Sequence, residues 1–389
     1  MRLIKQLLTS ALSGKTQVGP LDQYPFSSLW INGRLVSFEK LTGQNENPRT
    51  LFEQTTFQFI REWLSGVDSF EMTTSGSTGL PKVISLNRTA MVASALQTSA
   101  RLGLSKSDRA LVCIDTRYIG GKMMLVRCLT TGMHITAVDP VANPLVKIPV
   151  DKSVEFTALV PYQISAVLES KHPHLLNNID KILIGGAAQG LKNQEQLQRF
   201  QCACYETYGM TETASHIALR LVNTRLKQPY FQTLPNIKIS TDNRGCLVIT
   251  AAYLPAAVVT NDLVQIIEPD KFIWLGRLDS VINSGGIKVM PEKVENALEK
   301  IFYNCRFHNR FFIAASADEK LGNKIILVIE GVQFSSERLM ESLNQLKKFI
   351  SPFEFPKELY YVPEFAMTQS QKIDRNQTLP EAIFVSSLF

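Results

Sequence analysis

The chain has 389 residues, 45% of them hydrophobic and 20% charged, with 41 basic against 35 acidic side chains and a net charge of +6. That length allows two or three domains with sizeable cores, and the composition excludes a disordered chain or a coiled coil. The longest apolar stretches, such as Phe311 to Ala315, are too short to cross a bilayer, which excludes a helical membrane protein.

The N-terminal stretch Met1 to Leu8 places Lys5 and Gln6 where a secretory signal needs an unbroken apolar run, so it reads as a short amphipathic helix of the mature protein. The six cysteines are too few and too scattered for a disulfide scaffold and read as reduced thiols in a cytoplasmic protein. Cys202 and Cys204 have no second pair at zinc spacing and read as small buried thiols of a strand. Charges cancel from Ser280 onward, so the basic excess lies in the first 279 residues. A modest excess suits small anionic ligands or plain solubility. The absence of any Lys/Arg run speaks against nucleic acid.

In chain order, Leu41 to Thr50 is a polar loop, and Asn87 to Leu104 has helical period with Ala90, Met91, Ser94, Ala95 and Thr98 along one side. Short apolar strands follow at Ala110 to Ile114, His134 to Val138 and Phe156 to Val160. Pro161 opens a helix through Leu168; Lys181 to Ile184 is a strand ending in Gly185-Gly186. Leu191 to Phe200 reads as a polar-faced helix and Ala203 to Thr207 as a further strand. This alternation predicts a largely parallel α/β sheet, whose ligands sit at the carboxyl ends of strands. After residue 230 the texture turns to short β runs at Ile237 to Ser240, Cys246 to Thr250, Val264 to Ile267 and Phe272 to Leu275. Beyond Gly276 an α+β segment carries helices from Pro291 to Ile301 and from Ser336 to Phe349.

Met72 to Lys82 reads MTTSGSTGLPK. Its glycines let successive backbone N–H groups converge on one anion, its hydroxyls add donors and Lys82 adds charge. Pro81 stands where the Walker loop requires glycine, so that loop is excluded. A flexible Ser/Gly linker is the bland alternative, opposed by the apolar strand that follows directly.

The stretch Thr74, Ser75, Gly76, Ser77, Thr78, Gly79, Leu80, Pro81, Lys82 resembles the phosphate loop of the adenylate-forming superfamily of acyl-CoA synthetases and adenylation domains. Four more segments match in order: Tyr208-Gly-Met-Thr-Glu-Thr213, Thr260-Asn-Asp262, Gly276-Arg-Leu-Asp279 through Glu292, and Gln371-Lys-Ile-Asp-Arg375. The resemblance implies a large domain over 1–276 that binds ATP and the acid, with mostly parallel sheets, flanking helices and a β-rich subdomain. It also implies a small mobile α+β domain over 277–389 that turns about Asp279.

By the same resemblance, Glu212 holds Mg²⁺, Thr211 bonds the α-phosphate and Tyr208, beside Gly209, stacks on adenine. A capped strand end is the bland reading there. Gly185, Gly186 and Ala187 would wall the adenine pocket, although a tight turn explains the glycines equally well. Asp262 would take the ribose hydroxyls with Arg277 adding a donor, and Asn261, in place of the usual glycine, would tolerate left-handed backbone in a turn. Gly285 and Gly286 would let coenzyme A pass close to backbone. Lys372 would reach the carboxylate and α-phosphate in the first step, the alternative being an exposed tail lysine.

Within the superfamily, the compact chain and the stretch Ile282 to Val289 resemble the o-succinylbenzoate–CoA ligases, which act in menaquinone synthesis. That implies an acyl-pocket helix near Tyr118, Lys122 and Arg127, with Tyr118 at the position of the family's histidine. Lys122 and Arg127 are five apart, so at most one should point inward to neutralise a second substrate carboxylate. Two other readings stay open: an adenylating enzyme that loads a carrier protein, and a non-catalytic nucleotide binder. Retention of Lys82, Glu212, Asp262, Arg277 and Lys372 together argues against the latter.

Overall fold

The computed structural model describes residues 26–74, 82–149, 152–331, 336–367 and 373–388. In the first part of the chain come β1 (Ser28–Ile31), β2 (Arg34–Ser37), α1 (Leu51–Leu64), β3 (Ser69–Thr74), β4 (Lys82–Asn87), α2 (Arg88–Leu102), β5 (Arg109–Val112), α3 (Ile119–Thr131) and β6 (His134–Ala137). Then follow β7 (Phe156–Leu159), α4 (Pro161–Glu169), β8 (Lys181–Ile184), α5 (Leu191–Leu197), β9 (Ala203–Gly209), β10 (His216–Leu221) and β11 (Phe231–Thr233). The β-rich stretch supplies β12 (Ile237–Thr241), β13 (Cys246–Ala251), β14 (Val258–Glu268) and β15 (Lys271–Arg277).

One sheet runs through nearly all of these strands, in the order β12-β13-β14-β15-β11-β10-β9-β8-β7-β5-β6-β1-β2. From β9 to β1 neighbouring strands are parallel. Their buried, mostly apolar strings, such as Phe-Thr-Ala-Leu in β7, suit strands covered on both faces. The strands read from the sequence between Ala110 and Thr207 are this parallel section. The β-rich stretch joins it through β10 and β11 as an antiparallel extension. The hairpin β3–β4 stands apart and brings Thr74 opposite Lys82.

α2 departs from the one-sided pattern read in its sequence. Asn87 caps it by accepting from the Ala90 N–H, and Gly103 ends it in left-handed backbone. Every residue from Ala90 to Ser99 is buried, polar ones included. The small side chains of this segment let α2 pack closely on α3. It therefore brings Ser94, Gln97 and Thr98 into the interior, which an amphipathic surface helix would not do.

The rest of the chain forms β16 (Ile282–Ser284), β17 (Ile287–Val289), α6 (Pro291–Asn304), β18 (Phe311–Asp318), β19 (Gly322–Glu330), α7 (Ser336–Leu346), β20 (Glu358–Val362) and β21 (Ile383–Ser387). The last four strands make a sheet in the order β18-β19-β20-β21. α7 ends at Leu346, short of the Phe349 expected. Apolar cores segregate along the chain: the buried members of two clusters all precede Val281, and those of the other two begin at Ile282. α6 touches both β15 and α5. There the Leu191 N–H donates to Glu299 Oε1 at 2.7 Å, and the Ser280 hydroxyl donates to Glu292 Oε1 at 2.6 Å.

Candidate nucleotide and acyl-acid site

β8 and β9 run side by side, with Ile184 opposite Glu206, so their carboxyl ends open onto one place. Gly185-Gly186-Ala187 leave one and Tyr208-Gly209 end the other, followed by a helical turn at Thr211–Thr213. Gly209 is required by packing: a Cβ there would lie 2.4 Å from the His216 Cα and from the Ser215 carbonyl oxygen. That approach lets β10 start directly against β9. Thr213 is buried and locks the turn through Met210 and Ser215, whereas Glu212 is exposed and Thr211 half-exposed. The two side chains read as phosphate and metal partners are thus presented outward by a rigid turn.

Asp262 is buried in β14, and its two oxygens have different donors. The Tyr208 hydroxyl donates to Oδ2 at 2.7 Å and the Trp274 indole N–H to Oδ1 at 3.2 Å. Its own N–H donates to Thr260 Oγ1 at 3.0 Å. Burial and the Asp262 charge push the Tyr208 phenol far above its ordinary pKa, so it remains a donor. The Tyr208 ring meets Phe272 edge-on at 5.1 Å. Arg277 pairs across the strands with Asp262, but its guanidinium turns to Asp279, with Nε donating to Oδ1 at 2.8 Å and Nη2 to Oδ2 at 2.5 Å. That hydrogen-bonded pairing raises the Arg277 pKa and lowers that of Asp279. Asn261 needs no left-handed turn, contrary to the sequence reading. It lies within β14 and accepts from Arg244 Nη1 at 3.2 Å.

The three residues read as acyl-pocket candidates, Tyr118, Lys122 and Arg127, lie at the start of α3 or within it. Tyr118 caps the helix, is 41% exposed and carries the Arg117 guanidinium over its ring. Lys122 is half-buried, with Nζ 3.5 Å from the Glu71 carbonyl oxygen and 5.8 Å from the centre of the Phe59 ring. Burial lowers its pKa. Arg127 points inward and is 2% exposed. Its Nη2 donates to Ser215 Oγ at 2.8 Å and to His216 Nδ1 at 3.3 Å, and its Nε has no partner among the described residues. No carboxylate pairs with it among the described residues. Burial lowers its pKa to about 10, which leaves it charged at neutral pH.

Trp274, Ser215 and His216 were not singled out from the sequence. Trp274 could have been found by strand alternation, because β15 runs antiparallel to the strand of Asp262. His216 carries no local signal; only the close approach at Gly209 brings it inward. Gly285 and Gly286 form the two-residue turn of hairpin β16–β17, both at positive φ (+58° and +83°). Cys202 and Cys204 are buried free thiols with sulfurs 3.7 Å apart. Ser75, Gly76, Ser77, Thr78 and Gly79 lie outside the described residues, as does Lys372; Thr74 and Lys82 are strand residues flanking the loop. Arg375, which ends the last motif, donates to Glu295 Oε2 at 3.0 Å.

The family described as AMP-binding enzyme matches residues 68–248. An acyl-CoA synthetase (AMP-forming)/AMP-acid ligase II-like protein from Dyadobacter fermentans is 36% identical, with 87% of this chain and 97% of that chain covered and a TM-score of 0.58. The chain belongs to the AMP-binding enzymes. The 2-succinylbenzoate–CoA ligase of Oceanobacillus iheyensis is 24% identical over 356 residues, covering 83% of this chain and 72% of the relative. The o-succinylbenzoate coenzyme A synthetase of Bacillus subtilis, solved with its acyl-adenylate intermediate, shares the fold at 20% identity and a TM-score of 0.68, over 81% of this chain and 69% of that one.

For an AMP-binding enzyme the metal question is set by the donors present. Among the described residues no group of three His, Cys, Asp or Glu side chains could hold an ion. A single outward carboxylate, Glu212, fits Mg²⁺ that keeps waters and phosphate oxygens as its remaining ligands. No helix among the described residues is long and apolar enough to cross a membrane.

Proposed function

We propose that this AMP-binding enzyme joins an aromatic dicarboxylic acid, o-succinylbenzoate, to coenzyme A in menaquinone synthesis. One substrate carboxylate attacks the α-phosphorus of ATP and pyrophosphate leaves. The coenzyme A thiol sulfur then attacks the acyl carbonyl, and AMP leaves. The observation that carries the substrate reading is Arg127, a buried cation whose hydrogen bonds go to neutral groups. A guanidinium held dry without an acid is costly, and a second substrate carboxylate supplies the missing charge.

Asp262, already oriented by Tyr208 and Trp274, receives the ribose hydroxyls. Thr211 donates to the α-phosphate, and Mg²⁺ at Glu212 offsets triphosphate charge when bound. Ser75 to Gly79, with Thr74 and Lys82, wraps the phosphates, and Gly185, Gly186 and Ala187 border adenine. The part of the chain from Arg277 onward turns at Asp279 between the half-reactions. One orientation offers Lys372 to the acid and the other offers the Gly285-Gly286 turn to coenzyme A. Free cysteines and the need for ATP and coenzyme A support a cytoplasmic site of action.

The test is pyrophosphate release over a panel of acids. Release with o-succinylbenzoate, and little with a benzoyl-propionic acid lacking the ring carboxylate, supports the reading. Release confined to fatty or amino acids overturns it.

A further inference from the structure

Behind Arg127 lies a chain of hydrogen bonds whose direction the chemistry determines. A guanidinium only donates, so the contact of Arg127 Nη2 with His216 Nδ1, at 3.3 Å, makes Nδ1 the acceptor. The ring proton then sits on Nε2, 2.9 Å from Thr98 Oγ1. The Thr98 hydroxyl donates onward to the Ser94 carbonyl oxygen at 3.1 Å, which leaves its oxygen free to accept from the ring. Ser215 Oγ receives the same Nη2 at 2.8 Å. His216 and Thr98 are both buried, so water does not compete for these bonds.

We propose that His216 is a positioning residue: as a neutral acceptor whose tautomer is set by Thr98, it orients the Arg127 guanidinium toward the distal carboxylate of the substrate. This rests on the diacid reading above and adds to it the source of the guanidinium's orientation. The geometry is one-way. A protonated imidazole would present N–H to N–H at Arg127, and the other tautomer would do the same. Burial and the neighbouring guanidinium both drive the His216 pKa well below its ordinary value, which keeps the ring neutral. Nδ1 and Ser215 Oγ hold one nitrogen of the guanidinium, and Nε has no partner among the described residues.

The experiment compares KM and kcat for o-succinylbenzoate and for the analogue lacking the ring carboxylate, in wild-type enzyme and in His216→Leu, His216→Gln, Thr98→Val and Arg127→Met. Leucine leaves no acceptor. Glutamine offers a carbonyl to Arg127 and an amide N–H to Thr98. The expected result is a KM for the diacid raised about 10- to 100-fold in His216→Leu, with kcat and the analogue's KM moved less than about 3-fold. His216→Gln restores most of the loss, and Thr98→Val gives a smaller rise of the same kind. Should His216→Leu not fold, Thr98→Val against Thr98→Ser decides the matter: only valine should weaken the diacid.

Equal KM shifts for both acids in His216→Leu, or a glutamine variant as poor as the leucine one, would overturn the proposal. The two readings fail separately. Wild-type enzyme with no preference for the diacid removes the substrate reading and this proposal with it. A preference lost in Arg127→Met but retained in His216→Leu removes only the role of His216.

Discussion

The Tyr208 hydroxyl donates to Asp262 Oδ2 at 2.7 Å, tying the end of one strand to a buried carboxylate 54 residues later. Trp274 holds the other oxygen, so the carboxylate proposed to take the ribose hydroxyls is oriented before nucleotide arrives. Asp262→Ala should raise the KM for ATP about 10- to 100-fold, since each hydrogen bond to a charged group contributes about 1.5–3 kcal/mol. Trp274→Phe removes only a positioning bond and should cost a few-fold. Steady-state kinetics with ATP varied reads both. A Trp274→Phe enzyme as impaired as Asp262→Ala would show that the indole does more than orient.

Arg127→Met should separate binding from stability. Removing one partner of a buried charge pair costs about 3–5 kcal/mol, so the KM for a diacid should rise about 10²- to 10⁴-fold. The free protein should melt no lower than wild type, because an apolar side chain replaces a buried charge that has no acid beside it among the described residues. Thermal melts with and without the acid test this. A marked fall in Tm of the free protein would mean that Arg127 is a structural anchor.

His216 sets a pH dependence of stability. Its folded pKa is lowered by burial, whereas in the unfolded chain it titrates near about 6.5. As pH falls from 7 to 5 the unfolded state gains a proton that the folded state refuses. Stability therefore declines, with a slope of at most about 1.4 kcal/mol per pH unit from this group. Glu295 and Glu299 act in the opposite sense, because burial raises their folded pKa values and folding takes up protons there. The difference between wild type and His216→Gln isolates the histidine. Urea midpoints should converge as pH falls, and parallel curves would show that His216 titrates normally.

Lys372→Ala should slow adenylate formation about 10²- to 10³-fold, the scale of a lost transition-state donor. Thioester formation from synthetic acyl-adenylate and coenzyme A should stay within a few-fold, because the role proposed for the lysine is confined to the first half-reaction. Equal loss in both halves would assign Lys372 to folding or to domain placement instead.

Much of the large sheet was legible because its strands carry short apolar runs punctuated by glycine and proline, and the parallel order follows from the helices between them. The residues proposed for the nucleotide site were read from a different signal: each motif asks for a particular residue type in a particular short context. What escaped was set by contacts distant in sequence. Trp274 finds Asp262 across a hairpin, and His216 finds Thr98 over 118 residues. Arg277 was read as a ribose donor from its motif, and the structure adds what the motif does not show: its guanidinium donates to Asp279, two residues on. Spacing alone could not choose between Lys122 and Arg127. The buried run Ala90 to Ser99 of α2 packs on α3, and on that helix Arg127 is buried while Lys122 is half-buried.

The most direct measurement mixes the purified protein with ATP, Mg²⁺, coenzyme A and o-succinylbenzoate and follows all products by chromatography and mass. The account predicts AMP, pyrophosphate and o-succinylbenzoyl-CoA in equal amounts, with the acyl-adenylate accumulating when coenzyme A is withheld. Formation of ADP and phosphate, or absence of thioester despite ATP turnover, would contradict it.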